Sequence, residues 1–277
     1  MMIDTHLHIW NTDEVGIRWL SDAGLPAQAT IPDDFHDAAD GVSRRYVLVE
    51  ADADESSRET EWLISAARSD ARVHGVVACA LLERGEDVRA DIERMTAAPE
   101  IVGVRRLLQD RKHFDSPAFV DGLRILAEHE LPFDACVRAH ELPQLIDVLD
   151  QVPDLVVVLD HMGKPPVNNP SAMPSWRRDL SSLSTNRRVY CKLSGLPAEC
   201  RDHTHLDEVA TGVIADAVEA FGPDRCLLGS DRPISVDRAD WCSRVNDLIP
   251  PAHRATVAYQ NAIEIYQSAR VQGGIEQ

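Results

Sequence analysis

Met2 to Trp10 read MIDTHLHIW, with two histidines one residue apart. Side chains alternate faces along an extended strand, so His6 and His8 point the same way, with Cα atoms about 6–7 Å apart. Neutral imidazoles of intermediate softness suit zinc or another divalent ion. The pair alone fits a polar strand end equally well. Ionisable groups also stand in or at the ends of other apolar runs: Glu50, Arg105, Arg106, Asp134, Asp160, His161, Lys192 and Asp231. Asp231 would complete a mixed nitrogen and oxygen ligand set with His6 and His8. His161 adds either a further ligand or an acid/base group, and its structural alternative is a bond to a backbone carbonyl. Asp4, of the same parity as His6, either orients that imidazole or lies at the polar bottom of the fold. The planar fork of Arg105 suits a carboxylate or polyhydroxy substrate, with a salt bridge to Glu50 as the alternative. A lysine inside the strand-like run RVYCKLSG is costly unless paired, so Lys192 either faces a pocket or partners Asp160. Trp10 and Trp19 either form an aromatic wall or pack the first loop.

Positioning these groups needs many strand ends on one side of a sheet. The apolar runs at 2–6, 44–51, 73–82, 101–108, 131–137, 154–161, 188–195 and 225–231 are rich in β-branched and aliphatic residues. Continuous runs of this kind are expected of parallel strands covered on both faces. Helical patterns alternate with them at 56–70, 86–98, 116–130, 140–151, 173–185, 206–222, 239–249 and 251–269. The first of these is expected to be capped by Ser56 or Ser57. Eight such repeats predict an α/β fold of the (β/α)8 TIM-barrel type, one domain over residues 1–277, with its chemistry at the C-terminal strand ends. An open doubly wound sheet is the rival. The irregular stretch from Asn11 to Gly41, carrying Trp19, Leu20, Leu25 and Phe35, is expected to pack over one end of the barrel.

Composition narrows the function. The formal net charge is −18 and the isoelectric point about 4.9, which argues against nucleic acid or an anionic membrane as partner. Six cysteines include no CxxC pair, and most fall in apolar runs where a thiol acts as a small hydrophobe. With no signal-peptide pattern at the start, the expected setting is a reducing cytoplasm. No GxGxxG, Walker A or GxSxG segment occurs, so nucleotide chemistry and a serine nucleophile elbow have no support. The expected partner is a small-molecule lactone or carboxylate, and the expected assembly a monomer or homodimer.

Taken in order, MIDTHLHIW, VLVEADADESSRETEWL, GVVACALL, GVRRLLQD, LPFDACV, VVLDHMGKP, VYCKLSGL and LLGSDRP resemble the amidohydrolase-related TIM-barrel family. The resemblance is to its sugar-lactonase branch, which is related to 2-pyrone-4,6-dicarboxylate lactonase, and it runs from Met2 to about Tyr266. It implies hydrolysis of a sugar lactone by an activated water. His6, His8, His161 and Asp231 would form the catalytic and metal-holding set, with Asp231 as base. Arg105, Lys192, Arg232, Glu50 and Trp10 would face the substrate. No histidine lies in the fifth strand, His140 falls three residues past it, and no bridging lysine occurs in the fourth. The implied centre therefore holds one divalent ion, zinc first among candidates, or none. Arg232 in SDRP replaces the aromatic of the family's more usual SDWP, which implies a more anionic or differently shaped substrate. The alternative activity is decarboxylation or C–C hydrolysis of an aromatic or related carboxylic acid at the same site.

Overall fold

The computed structural model describes residues 1–32, 43–111 and 113–267. All eight apolar runs become strands: β1 Met2–Leu7, β2 Arg44–Val49, β3 Val73–Cys79, β4 Ile101–Leu107, β5 Phe133–Cys136, β6 Val157–Leu159, β7 Val189–Leu193 and β8 Cys226–Leu228. Several are shorter than the run that predicts them, because the last residues of each run leave extended geometry to turn across the barrel mouth. Each strand pairs in parallel with the next, in the order of the chain. The ring closes between β8 and β1 through a parallel bridge at Leu7 and Arg232. Backbone bonds from Asp231 N to the His6 carbonyl (2.7 Å) and from His8 N to the Arg232 carbonyl (2.9 Å) support it. The fold is thus a (β/α)8 barrel.

Alternation along the strands separates two apolar layers. Ile3, Val47, Val49, Val77, Val158 and Leu227 point into the barrel, and Ala262, Ile265 and Tyr266 from the C-terminal helix pack against them as a plug. Leu48, Val76, Val104, Ala135, Leu159 and Leu228 face outward onto the helices, meeting residues such as Leu63, Ile92, Leu123, Leu145, Leu180 and Ile214. Burying each such side chain is worth about 1.5–3 kcal/mol.

Helix Ser56–Ser69 buries Leu63 and Ala67 against the sheet. Its cap is Glu55, with no side-chain bond, not Ser56 or Ser57; Ser56 already lies inside the first turn, where its carbonyl accepts from Thr60 Oγ1. The C-terminal pattern does not form one helix. A single turn at Pro251–His253 and a π-helical stretch at Thr256–Gln260 precede Asn261–Ile265. There Asn261 donates to the carbonyls of Pro223 and Cys226.

The first loop packs as expected. Trp10–Asn11 pairs antiparallel with Gln28–Ala29, and Trp10, Val15, Ile17 and Leu20 cluster with Ala51 at the end of β2. Phe35 lies outside the described residues. Every cysteine is free, and no helix among the described residues is long and apolar enough to cross a membrane.

Candidate active site

Two local departures from regular structure assemble the mouth of the barrel. In β1 the register slips by one residue between Asp4 and Leu7, a bulge opposite β2. An extra residue reverses the parity that follows it, so Ile3 and the pair His6 and His8 all turn inward, while Asp4 does not. Asp4 instead accepts from the backbone N–H groups of His6 (3.1 Å) and Ser230 (2.8 Å). It fastens β1 to the β8 end and does not orient the imidazole of His6. The second departure is left-handed backbone at His161 (φ 55°) and Asp231 (φ 60°), a costly conformation for residues with a Cβ. It swings each side chain across the mouth. Gly195 accommodates the first: a Cβ there would lie 2.4 Å from His161 Nδ1.

Three donor atoms converge, and a fourth stands beside one of them. His6 Nε2 lies 3.2 Å from His8 Nε2, and Asp231 Oδ1 lies 3.7, 3.4 and 3.8 Å from the Nε2 atoms of His6, His8 and His161. The far side of each ring is occupied. His8 Nδ1 donates to the Val49 carbonyl at 2.9 Å, which leaves its Nε2 unprotonated. His161 Nδ1 bonds Ser194 Oγ at 2.9 Å. His6 Nδ1 stands 3.2 Å from Asp160 Oδ1, a buried oxygen that also lies 3.2 Å from Lys192 Nζ. Burial holds both His6 and His161 well below the usual histidine pKa, in the neutral ligand form. Burial alone would raise the Asp231 carboxyl, but any positive charge on His161 or His8, together with the Lys164 ammonium, lowers it below the usual carboxylate range.

His6 Nε2, His8 Nε2 and Asp231 Oδ1 lie mutually close enough to hold one divalent cation, and His161 Nε2 stands beside that trio, next to Asp231. Ligand atoms at about 2.0–2.1 Å around a tetrahedral centre stand about 3.3–3.4 Å apart, close to the separations observed. A proton on His6 Nδ1 would be donated to Asp160 Oδ1 and leave Nε2 free for the same point, the usual carboxylate–histidine support of a metal ligand.

Beneath these residues lies a buried charged layer. Lys192 Nζ contacts Asp134 Oδ2 (2.5 Å), Asp160 Oδ1 (3.2 Å) and His6 Nδ1 (3.1 Å), and Tyr266 donates to Asp134 from below. Arg105 bridges Glu50 (2.7 Å) and Asp160 (2.9 Å). Burial would raise Asp160, yet Lys192, His6 and Arg105 hold it well below the carboxylate range. Glu50, Asp134 and Asp160 thus face Lys192 and Arg105 in this layer, while Asp231 above it faces Lys164.

Several side chains expected to face the substrate are engaged by protein partners. Lys192 is fully buried and partners Asp160 and Asp134 rather than the cavity. Glu50 is spent on Arg105 and on the N–H of Asp52. Arg105 reaches the cavity wall but forms the salt bridge with Glu50. Trp10 packs in the loop core, its indole bonded to the Pro26 carbonyl. The Arg232 side chain lines a small pocket with Asp4, Arg44, Tyr46 and Asp240, away from the histidines. His140 is exposed near Asp110 and Glu141.

The cavity above the donor cluster measures about 330 Å³. Trp19, Leu107 and Ile234 give it apolar walls, and Asp52, Gln109, Lys164 and Glu199 polar ones, with His8, His161 and Asp231 at its base. Asp160 and Lys164 have central positions that the sequence reading did not assign. Both lie in the DHMGK stretch, in which the sequence marks Asp160 and His161 at a strand end and gives Lys164 no separate signal.

Comparison with known proteins agrees with this architecture. The amidohydrolase family profile matches residues 3–267. The L-fucono-1,5-lactonase of Burkholderia ambifaria is 30% identical over 98% of this chain and 97% of its own length. An amidohydrolase from Burkholderia multivorans superposes with a TM-score of 0.82 at 25% identity in a HEPES-bound crystal, covering 97% of this chain and 99% of that one. In a zinc-bound crystal it superposes with a TM-score of 0.78 at 26% identity, with the same coverage. A barrel that presents histidines and an aspartate at its strand ends, matched over nearly its whole length, makes this chain an enzyme, a hydrolase belonging to the amidohydrolase family.

Proposed function

We propose that the enzyme opens a sugar lactone to its hydroxy acid. The observation that carries this is the convergence of His6 Nε2, His8 Nε2 and the Asp231 carboxylate, with His161 beside Asp231, at the base of a cavity with both apolar and hydrogen-bonding walls. Such walls suit a polyhydroxylated ring, and the full-length relative named for L-fucono-1,5-lactone supports that substrate class.

His6, His8 and Asp231 would hold one divalent ion, zinc first among candidates in view of the zinc-bound relative. Such an ion supplies Lewis acidity at the carbonyl oxygen when bound. Asp231 takes a proton from the attacking water, as a carboxylate kept ionised at the cavity base can do. His161, fixed by Ser194, faces the developing oxyanion. Asp160 and Lys192 act from behind by holding the ring of His6.

A pH-indicator screen of 1,4- and 1,5-aldonolactones with purified enzyme tests the reading. Turnover is expected for the wild type, and a loss of about 10²-fold or more for Asp231→Asn with an unchanged melting temperature. Near-normal hydrolysis by that variant would sink the role of Asp231.

A further inference from the structure

Positive charge in this chain is almost all arginine: of 28 Lys and Arg residues, only 112, 164 and 192 are lysines. Lys112 lies outside the described residues. The other two stand at the centre of the barrel. Surface ion pairs such as Arg84 with Asp91, Arg124 with Asp121 and Arg177 with Asp216 use guanidinium. An ammonium differs in being compact and in releasing its proton far more readily. Lys192 uses the first property, with three acceptors crowded around one nitrogen.

Lys164 has no such enclosure. It lines the cavity with His8, His161 and Asp231. Its ion-pair partner among the described residues is Glu199, at 3.7 Å, beyond hydrogen-bond reach. The same tight turn presents both Lys164 and His161: Lys164 is left-handed (φ 50°) and its N–H donates to the His161 carbonyl at 2.9 Å. Arg105, the other cation on the cavity wall, is occupied by Glu50 and Asp160.

We infer that Lys164 is the general acid that protonates the departing ring oxygen. The inference rests on the lactonase reading above. Water adds to the carbonyl carbon as Asp231 takes one of its protons. When the bond from that carbon to the ring oxygen breaks, the electron pair passes to the oxygen, which accepts a proton from Lys164 Nζ. The proton on Asp231 then recharges the amine through cavity water, so the chain returns to its starting state and the substrate has gained one water.

The test compares Lys164→Met and Lys164→Arg on an aldono-1,5-lactone, whose alkoxide needs a proton to leave, and on dihydrocoumarin and phenyl acetate, whose phenolate does not. Lys164→Met is expected to lower kcat on the sugar lactone by about 10²-fold or more, with KM within about threefold. The aryl substrates should lose no more than about fivefold. Lys164→Arg should recover nothing, because guanidinium keeps its proton. Recovery by arginine, equal losses on both substrate types, or an effect confined to KM would overturn the assignment. Failure of the wild type on every lactone would overturn the lactonase reading itself, and is read before any variant.

Discussion

The proposed chemistry depends on two residues in conformations they would not choose alone. Left-handed His161 and Asp231 each carry backbone strain of about 1–3 kcal/mol, maintained because the surrounding turns over-determine them. For His161 the determinant is the absence of a side chain at Gly195, itself left-handed at φ 70°. Gly195→Ala should push the imidazole off Ser194 Oγ and out of the donor cluster. Turnover, and the divalent-ion content of the proposed site, should each fall by about 10- to 100-fold, as when support of a ligand is lost. Metal analysis alongside kinetics checks this; an alanine variant with full metal loading and activity would show that the close approach is not needed.

At the level of elements, the β1 bulge and the packing of helix Ser56–Ser69 against the β2 end do the positioning. Glu59 from that helix is buried and accepts the Ala51 N–H at 2.6 Å. This pins the loop that bears Ala51 and Asp52 at the cavity wall. Burial, reinforced by Glu50, raises the Glu59 pKa from 4.5 to about 8. The folded chain therefore keeps this proton to a higher pH than the unfolded chain. The stability contributed by neutral Glu59 is complete below about pH 4.5 and is lost as pH rises through about 8. Denaturant titrations at pH 5, 6, 7 and 8 should show the wild type losing stability relative to Glu59→Gln across that interval. A constant difference between the two proteins would place the proton elsewhere.

Across the whole molecule, one polar column runs up the barrel axis from the C-terminal plug to the cavity: Tyr266, Asp134, Lys192, Asp160, Arg105 and Glu50. Plug and catalytic end are thereby parts of one charged network. Removing a single member leaves buried charge uncompensated, which costs about 3–5 kcal/mol. Lys192→Met should lower unfolding free energy by about that amount, and adding Asp134→Asn should recover part of it. Residual turnover of Lys192→Met should show a wild-type KM, since this lysine does not line the cavity. A raised KM at full stability would return Lys192 to the substrate.

The barrel was legible in the sequence because its signal is local and repeated. Eight apolar runs alternate with eight helical patterns, and burial on both faces leaves little freedom in how they combine. His6, His8, His161 and Asp231 were legible for the same reason, as ionisable groups at strand ends that a closed barrel must gather. Tertiary structure alone decided the contacts that depend on side-chain direction. One extra residue in β1 turned Asp4 away from the imidazole of His6, the fork of Arg105 closed on two carboxylates, and Lys192 sank beneath the site while Lys164 reached the cavity. Sequence carries the period of an element over many residues, but a bulge or a left-handed turn is a one-residue event that reverses direction, and neighbours distant in the chain select it.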